Sequence, residues 1–206
     1  MYSQSISEVA RIILEKIAVS PIASDFYLAG GTALALQLGH RESIDLDWFS
    51  ERKFSAANLK KILHKLGNFK ILGENEDTIN AILDNVRMSF FYYDYRQLFP
   101  FLRFENVNVA DERDIAAMKI SAVSSRGSKK DFIDIYFLLE KYTLKELIEF
   151  FEKKYKDIGY NKLHILKSLT YFEEAESEPM PKMLKPVDWE TVKEKVRKEA
   201  NEFLKK

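Results

Sequence analysis

Short apolar runs alternate with helical patterns in the first half of the chain, up to about residue 109. Behind Ser5 and Glu8, which are spaced like a capping box, apolar residues recur at helical intervals until Pro21 ends the pattern. Period-two alternation then predicts strands, and Asp84 with Asn85 predicts a hairpin turn. The predicted helices cover residues 5–19, 32–38 and 55–66, and the predicted strands cover residues 26–29, 44–49, 69–73, 78–83, 86–93 and 107–109.

From Asp111 onward the apolar residues follow only the helical period. Thr143 and Glu146 form a second capping-box pattern, and Asp188 precedes the last helix as its predicted cap. The acidic, proline-containing segment 173–188 predicts a linker or a wrapping arm. The predicted helices of this half cover residues 111–126, 128–142, 143–154, 161–169 and 189–204. We therefore predict an α+β fold in two domains, 1–109 with a mixed sheet and flanking helices, and a helical domain, 110–206.

Composition narrows the class of protein. The chain has 206 residues, 46% of them hydrophobic, which is enough for a sizeable core. Lys plus Arg and Asp plus Glu both number 32, which argues against a strongly basic nucleic-acid coat. The absence of cysteine excludes disulfides, zinc–thiolate sites and cysteine nucleophiles. No apolar run approaches the roughly 20 residues that span a bilayer, and the N-terminus is typical of an amphipathic helix, so we expect a cytoplasmic protein without membrane contact.

A glycine pair and an aspartate pair stand out between residues 27 and 49. Gly30 and Gly31 end an apolar strand and precede a helix, where a turn without Cβ atoms and free N–H groups can hold phosphate, with the Thr32 hydroxyl as a further donor. Asp45 and Asp47 alternate with apolar residues, so that on a strand both carboxylates point to one side.

The aspartate pair predicts a metal site. Two adjacent carboxylates repel each other, and a divalent cation removes that cost. Mg²⁺ often binds one or two carboxylates together with substrate phosphates. On this strand we expect Ile44, Leu46 and Trp48 to point into the core. A plain turn and a solvated strand face are the ordinary explanations of each pair alone, but the combination favours a site for a nucleoside triphosphate.

A lysine lies in the apolar face of the first predicted helix of the second half. Lys119 is surrounded by Ile115, Ala116, Ala122 and Val123 at helical spacing, and a charge there requires an anionic partner. One interpretation is a buried ion pair with Asp131 or Asp134 that joins two helices. The other, which we favour, is that Lys119 binds triphosphate oxygens and neutralises charge on leaving pyrophosphate. Arg126 extends the same face and is predicted to bind the nucleotide with it.

Together these segments resemble the AbiEii/AbiGii-type toxin nucleotidyltransferases, a branch of the DNA polymerase β-like superfamily. The resemblance covers roughly residues 26–142 and is strongest in GGTALALQLGHRESIDLDWF and DIAAMKISAVSSRGSKKDFIDIYFLLEKY. It implies a polymerase β-like nucleotidyltransferase sheet, followed by a helical half that completes the active site. It also implies the toxin component of a bacterial toxin–antitoxin or phage-defence pair, with a cognate antitoxin as partner.

The resemblance implies a Mg²⁺-dependent transfer of a nucleotide from an NTP to an acceptor hydroxyl, with tRNA as the first expectation for the acceptor. A protein or a small molecule is the alternative acceptor. The residues implied are, for nucleotide binding, Gly30, Gly31, Thr32, Arg41, Ser43, Lys119 and Asp134; for catalysis, Asp45, Asp47, Lys119 and Asp131; and for the metal, Asp45 and Asp47.

One position departs from the pattern of the superfamily, which usually has a third carboxylate on a neighbouring strand. In the segment VRMSFF the corresponding position is Ser89. A two-metal site uses that third oxygen to hold the metal of the attacking nucleophile. Its loss leaves a second hypothesis open, namely a nucleotide-binding module with little or no turnover.

Overall fold

The first unit of the chain is built on a seven-stranded mixed sheet. The computed structural model describes residues 1–205, and the chain divides into two units, Met1–Asp111 and the part from Glu112 onward. The strands are β1 Tyr27–Ala29, β2 Leu46–Ser50, β3 Phe69–Glu74, β4 Thr78–Leu83, β5 Val86–Tyr92, β6 Leu102–Phe104 and β7 Val107–Val109. Their order is β3-β4-β5-β2-β1-β7-β6, with β2–β5 and β1–β7 parallel and the other pairs antiparallel.

The helices of both units begin at side-chain caps in most cases. Ser7, Ser55, Ser128, Thr143, Asn161 and Asp188 each accept a hydrogen bond from a main-chain N–H of the first turn. The helices are α1 Glu8–Ala18, α2 Ile22–Asp25, α3 Gly30–Leu38, α4 Ala56–Leu66, α5 Glu112–Ser125, α6 Lys129–Leu138, α7 Leu144–Lys154, α8 Lys162–Ser168, α9 Glu173–Glu176 and α10 Trp189–Leu204. The predicted capping box of Thr143 and Glu146 is confirmed, as is the Asp188 cap.

Strand alternation gives the sheet one buried face. Leu28, Trp48 and Phe90 lie side by side on β1, β2 and β5 and are fully buried, with Ile79 of β4 next to Phe90. Residues one position away point to the opposite face, because side chains along a strand alternate. Asp47 is therefore on the opposite face from the buried Trp48.

Three predictions of local structure are corrected. Ser5 is not a helix cap: it lies in a short 3-10 turn, and Ser7 caps α1 instead. The second strand begins at Leu46, two residues later than predicted. Ile44 precedes this strand and is 63% exposed, so it does not point into the core, because outside a strand the alternation of side chains no longer holds.

Three of these elements were missed, the four-residue helices α2 and α9 and the three-residue strand β6. All three are too short to show a hydrophobic period. The predicted hairpin at Asp84 and Asn85 is confirmed: both residues have positive φ, and Leu83 pairs with Val86 across the turn.

The second unit is helical, with α5 packed against α6, α7 and α8. Its core holds an ion pair between Asp114 of α5 and Lys154 of α7, with 2.8 Å between Oδ1 and Nζ and both side chains fully buried. The predicted linker, residues 173–188, contains α9, and its Glu178 carboxylate accepts a hydrogen bond from the main-chain N–H of Lys129.

Among the described helices, none has the length and apolar character needed to cross a bilayer.

Candidate functional site

The glycine turn joins β1 to α3 and lies against the aspartate strand. Gly30 adopts a φ of +67°, in the left-handed region that glycine favours, and begins α3 directly after Ala29. Ala29 pairs with Asp47 across β1 and β2. A Cβ atom on Gly30 would lie 2.5 Å from Oδ2 of Asp47, so only glycine allows this approach. The first turn of α3 has no side-chain cap, which leaves its N–H groups available to an anion.

A second close approach lies at Gly31, where a Cβ atom would be 2.6 Å from Nη2 of Arg41 and 3.6 Å from Oγ of Ser43. Arg41 is 2% exposed. Its buried guanidinium places a positive charge directly beside the glycine turn, where it adds to the positive end of α3. The predicted binding residues of the turn and of the loop before β2 are thus brought together.

A hydroxyl network connects the turn to Asp45. The Thr32 hydroxyl donates to Ser43 Oγ at 2.8 Å and also contacts the main-chain oxygen of Asp45. Asp45 lies immediately before β2, whereas Asp47 lies within it. Asp45 is therefore tied to the turn by the contact of its main-chain oxygen with Thr32, whereas Asp47 lies close to Gly30.

One carboxylate oxygen of Asp45 is unsatisfied, which is a feature that a bound cation would fit. This oxygen, Oδ1, is buried and has no hydrogen-bond partner among the described residues. A buried carboxylate oxygen without a donor is costly, and a bound ion is one of the few arrangements that satisfies it. Among the described residues, no group of three or more His, Cys, Asp or Glu side chains could hold a metal ion, so Asp45 and Asp47 would rely on other oxygens.

The N-terminal segment contacts the loop that precedes β2, and the sequence did not indicate this contact. The main-chain oxygen of Ser5 accepts a hydrogen bond of 2.8 Å from Ser43 N–H, and Tyr2 N–H donates to the oxygen of Leu36 at 2.7 Å. The Tyr2 ring covers Gly39, where a Cβ atom would be 2.5 Å from the ring. The two hydrogen bonds join main-chain atoms distant in sequence, so the residue types gave no indication of them.

Ser89 lies on β5 directly beside Asp47 of β2 in the parallel register. Paired residues on neighbouring strands point to the same face, about 4.8 Å apart. The position that carries a serine in place of the third carboxylate therefore adjoins the aspartate pair.

In the helical unit, Lys119 forms a buried ion pair with both candidate aspartates, which was one of the two interpretations of this residue. Its Nζ lies 2.8 Å from Oδ1 of Asp131 and 2.6 Å from Oδ2 of Asp134, and all three side chains are buried. Arg126 adds a contact of 3.1 Å to Asp131, while its own side chain is 68% exposed. Ser128 donates to Asp131 at 2.7 Å. The cluster joins α5 to α6, and its nucleotide-binding role stays a prediction.

The electrostatics of this cluster are dominated by its cations. Burial by itself raises the pKa of Asp131, but the charge of Lys119, together with the hydrogen bond and charge of Arg126, lowers it to about 2. Asp131 is therefore ionised throughout the physiological range, so its carboxylate accepts hydrogen bonds and pairs with cations.

Replacing Gly30 with alanine should disrupt the aspartate site without unfolding the unit. The new Cβ would collide with Asp47 Oδ2, and the positive φ adds strain of about 1–2 kcal/mol. Because displacements of about 1 Å can cost 10²-fold in rate, we expect nucleotide transfer to fall about 10²-fold.

The matched control is Gly73→Ala, at a position where a Cβ meets no atom within 4 Å. Initial rates and thermal melting of both variants provide the measurement. Equal rates for Gly30→Ala and the wild type would show that the close approach to Asp47 does not matter.

Comparison with solved structures identifies the class of fold. A proposed nucleotidyltransferase from Helicobacter pylori is similar with a TM-score of 0.59 and 18% identity, covering 96% of this chain and 92% of that one. JHP933 from the same species is similar with a TM-score of 0.57 and 19% identity, covering 97% and 94%. This chain therefore shares the fold of these two proteins, a mixed-sheet α+β fold with flanking helices, as predicted.

The family follows from the sequence comparison. A model of the AbiEii nucleotidyl transferase toxins of type IV toxin–antitoxin systems matches residues 12–103 and 85–205. The chain therefore belongs to the AbiEii family, and it is a nucleotidyltransferase. An uncharacterised protein of Aquifex aeolicus (strain VF5) is 40% identical in an alignment of 204 positions, and the alignment covers 94% of this chain and 95% of that protein.

Proposed function

We propose that this protein is a Mg²⁺-dependent toxin that transfers a nucleoside monophosphate from an NTP to an acceptor hydroxyl. Asp45 and Asp47 would hold the cation, and the observation that carries this assignment is the buried, unpartnered Oδ1 of Asp45 beside the glycine turn. When bound, Mg²⁺ neutralises phosphate charge and orients the triphosphate. The uncapped N–H groups of α3 and the Arg41 charge are suited to the same anion.

The transfer forms one bond and breaks one. The acceptor oxygen attacks the α-phosphorus, the bond from that phosphorus to the bridging oxygen of the β-phosphate breaks, and pyrophosphate leaves. The acceptor proton passes to a carboxylate of the site or to water. Electrostatic stabilisation and positioning contribute most of the acceleration in such reactions.

We propose a tRNA hydroxyl as the acceptor and a cognate antitoxin as the partner, in the cytoplasm. The family assignment supports a toxin–antitoxin context. A hydroxyl of a protein or of a small molecule is the alternative, since the nucleotide side of the site would serve each acceptor equally. The roles of Lys119, Arg126, Asp131 and Asp134 in nucleotide binding are part of the same proposal.

Labelled nucleotides test the reaction. The purified protein is incubated with Mg²⁺, total tRNA and each NTP in turn, labelled on either the α- or the γ-phosphate. We expect α-label to enter the RNA fraction for at least one NTP and γ-label to appear only in pyrophosphate. Parallel reactions contain cell protein or small-molecule extract in place of tRNA. Absence of α-label from every acceptor fraction would contradict the proposal.

Ser89 supports a second candidate function, a nucleotide-binding module with weak turnover. A hydroxyl adjoins Asp47 where a third carboxylate is usual, so the site has one negative charge fewer. This candidate predicts that NTP with Mg²⁺ raises the melting temperature while no label is transferred. Under it, Ser89→Asp raises transfer above the wild type.

A further inference from the structure

Three polar residues form a row across the strands beside the glycine turn. Asp47 of β2 pairs with Ser89 of β5, and Ser89 pairs with Asn80 of β4. We name Asp47, Ser89 and Asn80 the polar row. Each residue of the row is flanked along its strand by buried apolar residues, such as Trp48, which places the row on the face opposite that core.

The two neutral members of the row have side chains available to a ligand. The main chains of Ser89 and Asn80 pair with each other between β5 and β4. The Ser89 hydroxyl and the Asn80 carboxamide make no hydrogen bond to the described part of the chain. Asn80 is exposed and Ser89 is half-buried. A hydroxyl and an amide oxygen next to a carboxylate are hard oxygen donors, of the kind that divalent cations accept.

The spacing of the row allows a shared ion. Neighbouring strands lie about 4.8 Å apart, so Ser89 adjoins Asp47 and Asn80 is one strand further. The side chain of asparagine is one bond longer than that of serine and extends further from the sheet. Asn80 can therefore lean over Ser89 towards Asp47.

We propose that Asn80, with Ser89 beneath it, is the neutral oxygen position of the cation site next to Asp47. This inference deepens the proposed function and rests on it for the role of the cation. Two carboxylates and a neutral oxygen hold a divalent ion with less charge than three carboxylates. The phosphates of the nucleotide must then supply more of the negative charge, so cation binding and nucleotide binding are strongly coupled.

Manganese binding without any nucleotide tests the proposal independently of activity. Free Mn²⁺ is measured by its electron paramagnetic resonance signal in titrations of the wild-type protein. We expect Asn80→Ala to weaken Mn²⁺ binding about tenfold, the lower end of what oriented partner residues contribute to metal sites. Asn80→Asp should tighten it by about tenfold or more, because it adds a charge beside the ion. Asp45→Ala should abolish Mn²⁺ binding, which would show that the measured ion lies at the aspartate pair.

The control is Asn201→Asp, which adds the same charge on the exposed face of α10 and should leave Mn²⁺ binding at the wild-type value. Wild-type binding of Mn²⁺ that neither Asn80 variant changes would overturn the proposal, as would the absence of any Mn²⁺ binding to the wild type. If both Asn80 variants shift Mn²⁺ binding but no NTP is transferred, the proposed function fails and the role of Asn80 stands. If a nucleotide is transferred and neither Asn80 variant changes Mn²⁺ binding, the proposed function stands and the role of Asn80 fails.

Discussion

Asp47→Asn is expected to lower nucleotide transfer by at least about 10³-fold, which corresponds to about 4 kcal/mol of lost transition-state stabilisation. The substitution keeps the shape of the side chain and removes one of the two carboxylate charges, those of Asp45 and Asp47, that would attract the proposed cation. Asp45→Asn should have a similar effect, since its buried Oδ1 then lacks the charge that a cation requires.

Initial rates of α-label transfer at saturating NTP provide the measurement, with thermal melting to show that the variants fold. Asp25→Asn is the matched control, because it removes one carboxylate from an exposed position at the end of α2. We expect its rate to equal that of the wild type. Retention of more than about a tenth of the wild-type rate by Asp47→Asn would place the catalytic cation elsewhere.

Lys119→Met is expected to lower the free energy of unfolding by about 3–5 kcal/mol, the usual cost of removing one partner from a buried ion pair. The change leaves Asp131 and Asp134 without their shared cation, whose Nζ lies 2.8 and 2.6 Å from them. Methionine fills much of the space of the lysine stem, so the loss is electrostatic. Chemical denaturation at neutral pH measures it.

The control is Lys130→Met, because Lys130 is exposed on α6, the helix that carries Asp131 and Asp134, and its removal should change the free energy of unfolding by less than about 1 kcal/mol. A wild-type free energy of unfolding for Lys119→Met would show that the cluster does not hold α5 and α6 together. If stability is lost and NTP–Mg²⁺ no longer raises the melting temperature, both interpretations of Lys119 contribute.

The pH dependence of stability gives the same prediction a second readout. The pKa of Asp131 is about 2 in the folded protein against an ordinary value of 3.8, so its contribution is present above pH 4 and is lost as the pH falls towards 2. The difference corresponds to about 2 kcal/mol. In Lys119→Met the main attracting charge is gone, and the loss of stability between pH 4 and pH 2 should be smaller.

Much of the helical pattern was predictable because it depends on local chemistry. Thr143 with Glu146 and Asp188 cap their helices as their spacing indicates, since a cap needs only residues three apart. The Ser5 prediction failed because Ser7 also has the required side chain, and the packing of the N-terminal segment on Ser43 and Leu36 decided between them. Local patterns name candidates, and long-range contacts select among them.

For the candidate site, the sequence by itself determined the residue types, namely a turn without Cβ atoms, a hydroxyl and two carboxylates, because their chemistry does not depend on distance. Only the tertiary structure decided that Gly30 lies against Asp47, that Thr32 contacts Asp45, and that Asn80 joins Ser89 beside them. It also paired Lys119 with both aspartates. Strand register and helix packing set these distances, and both depend on which buried faces meet, which no local pattern specifies.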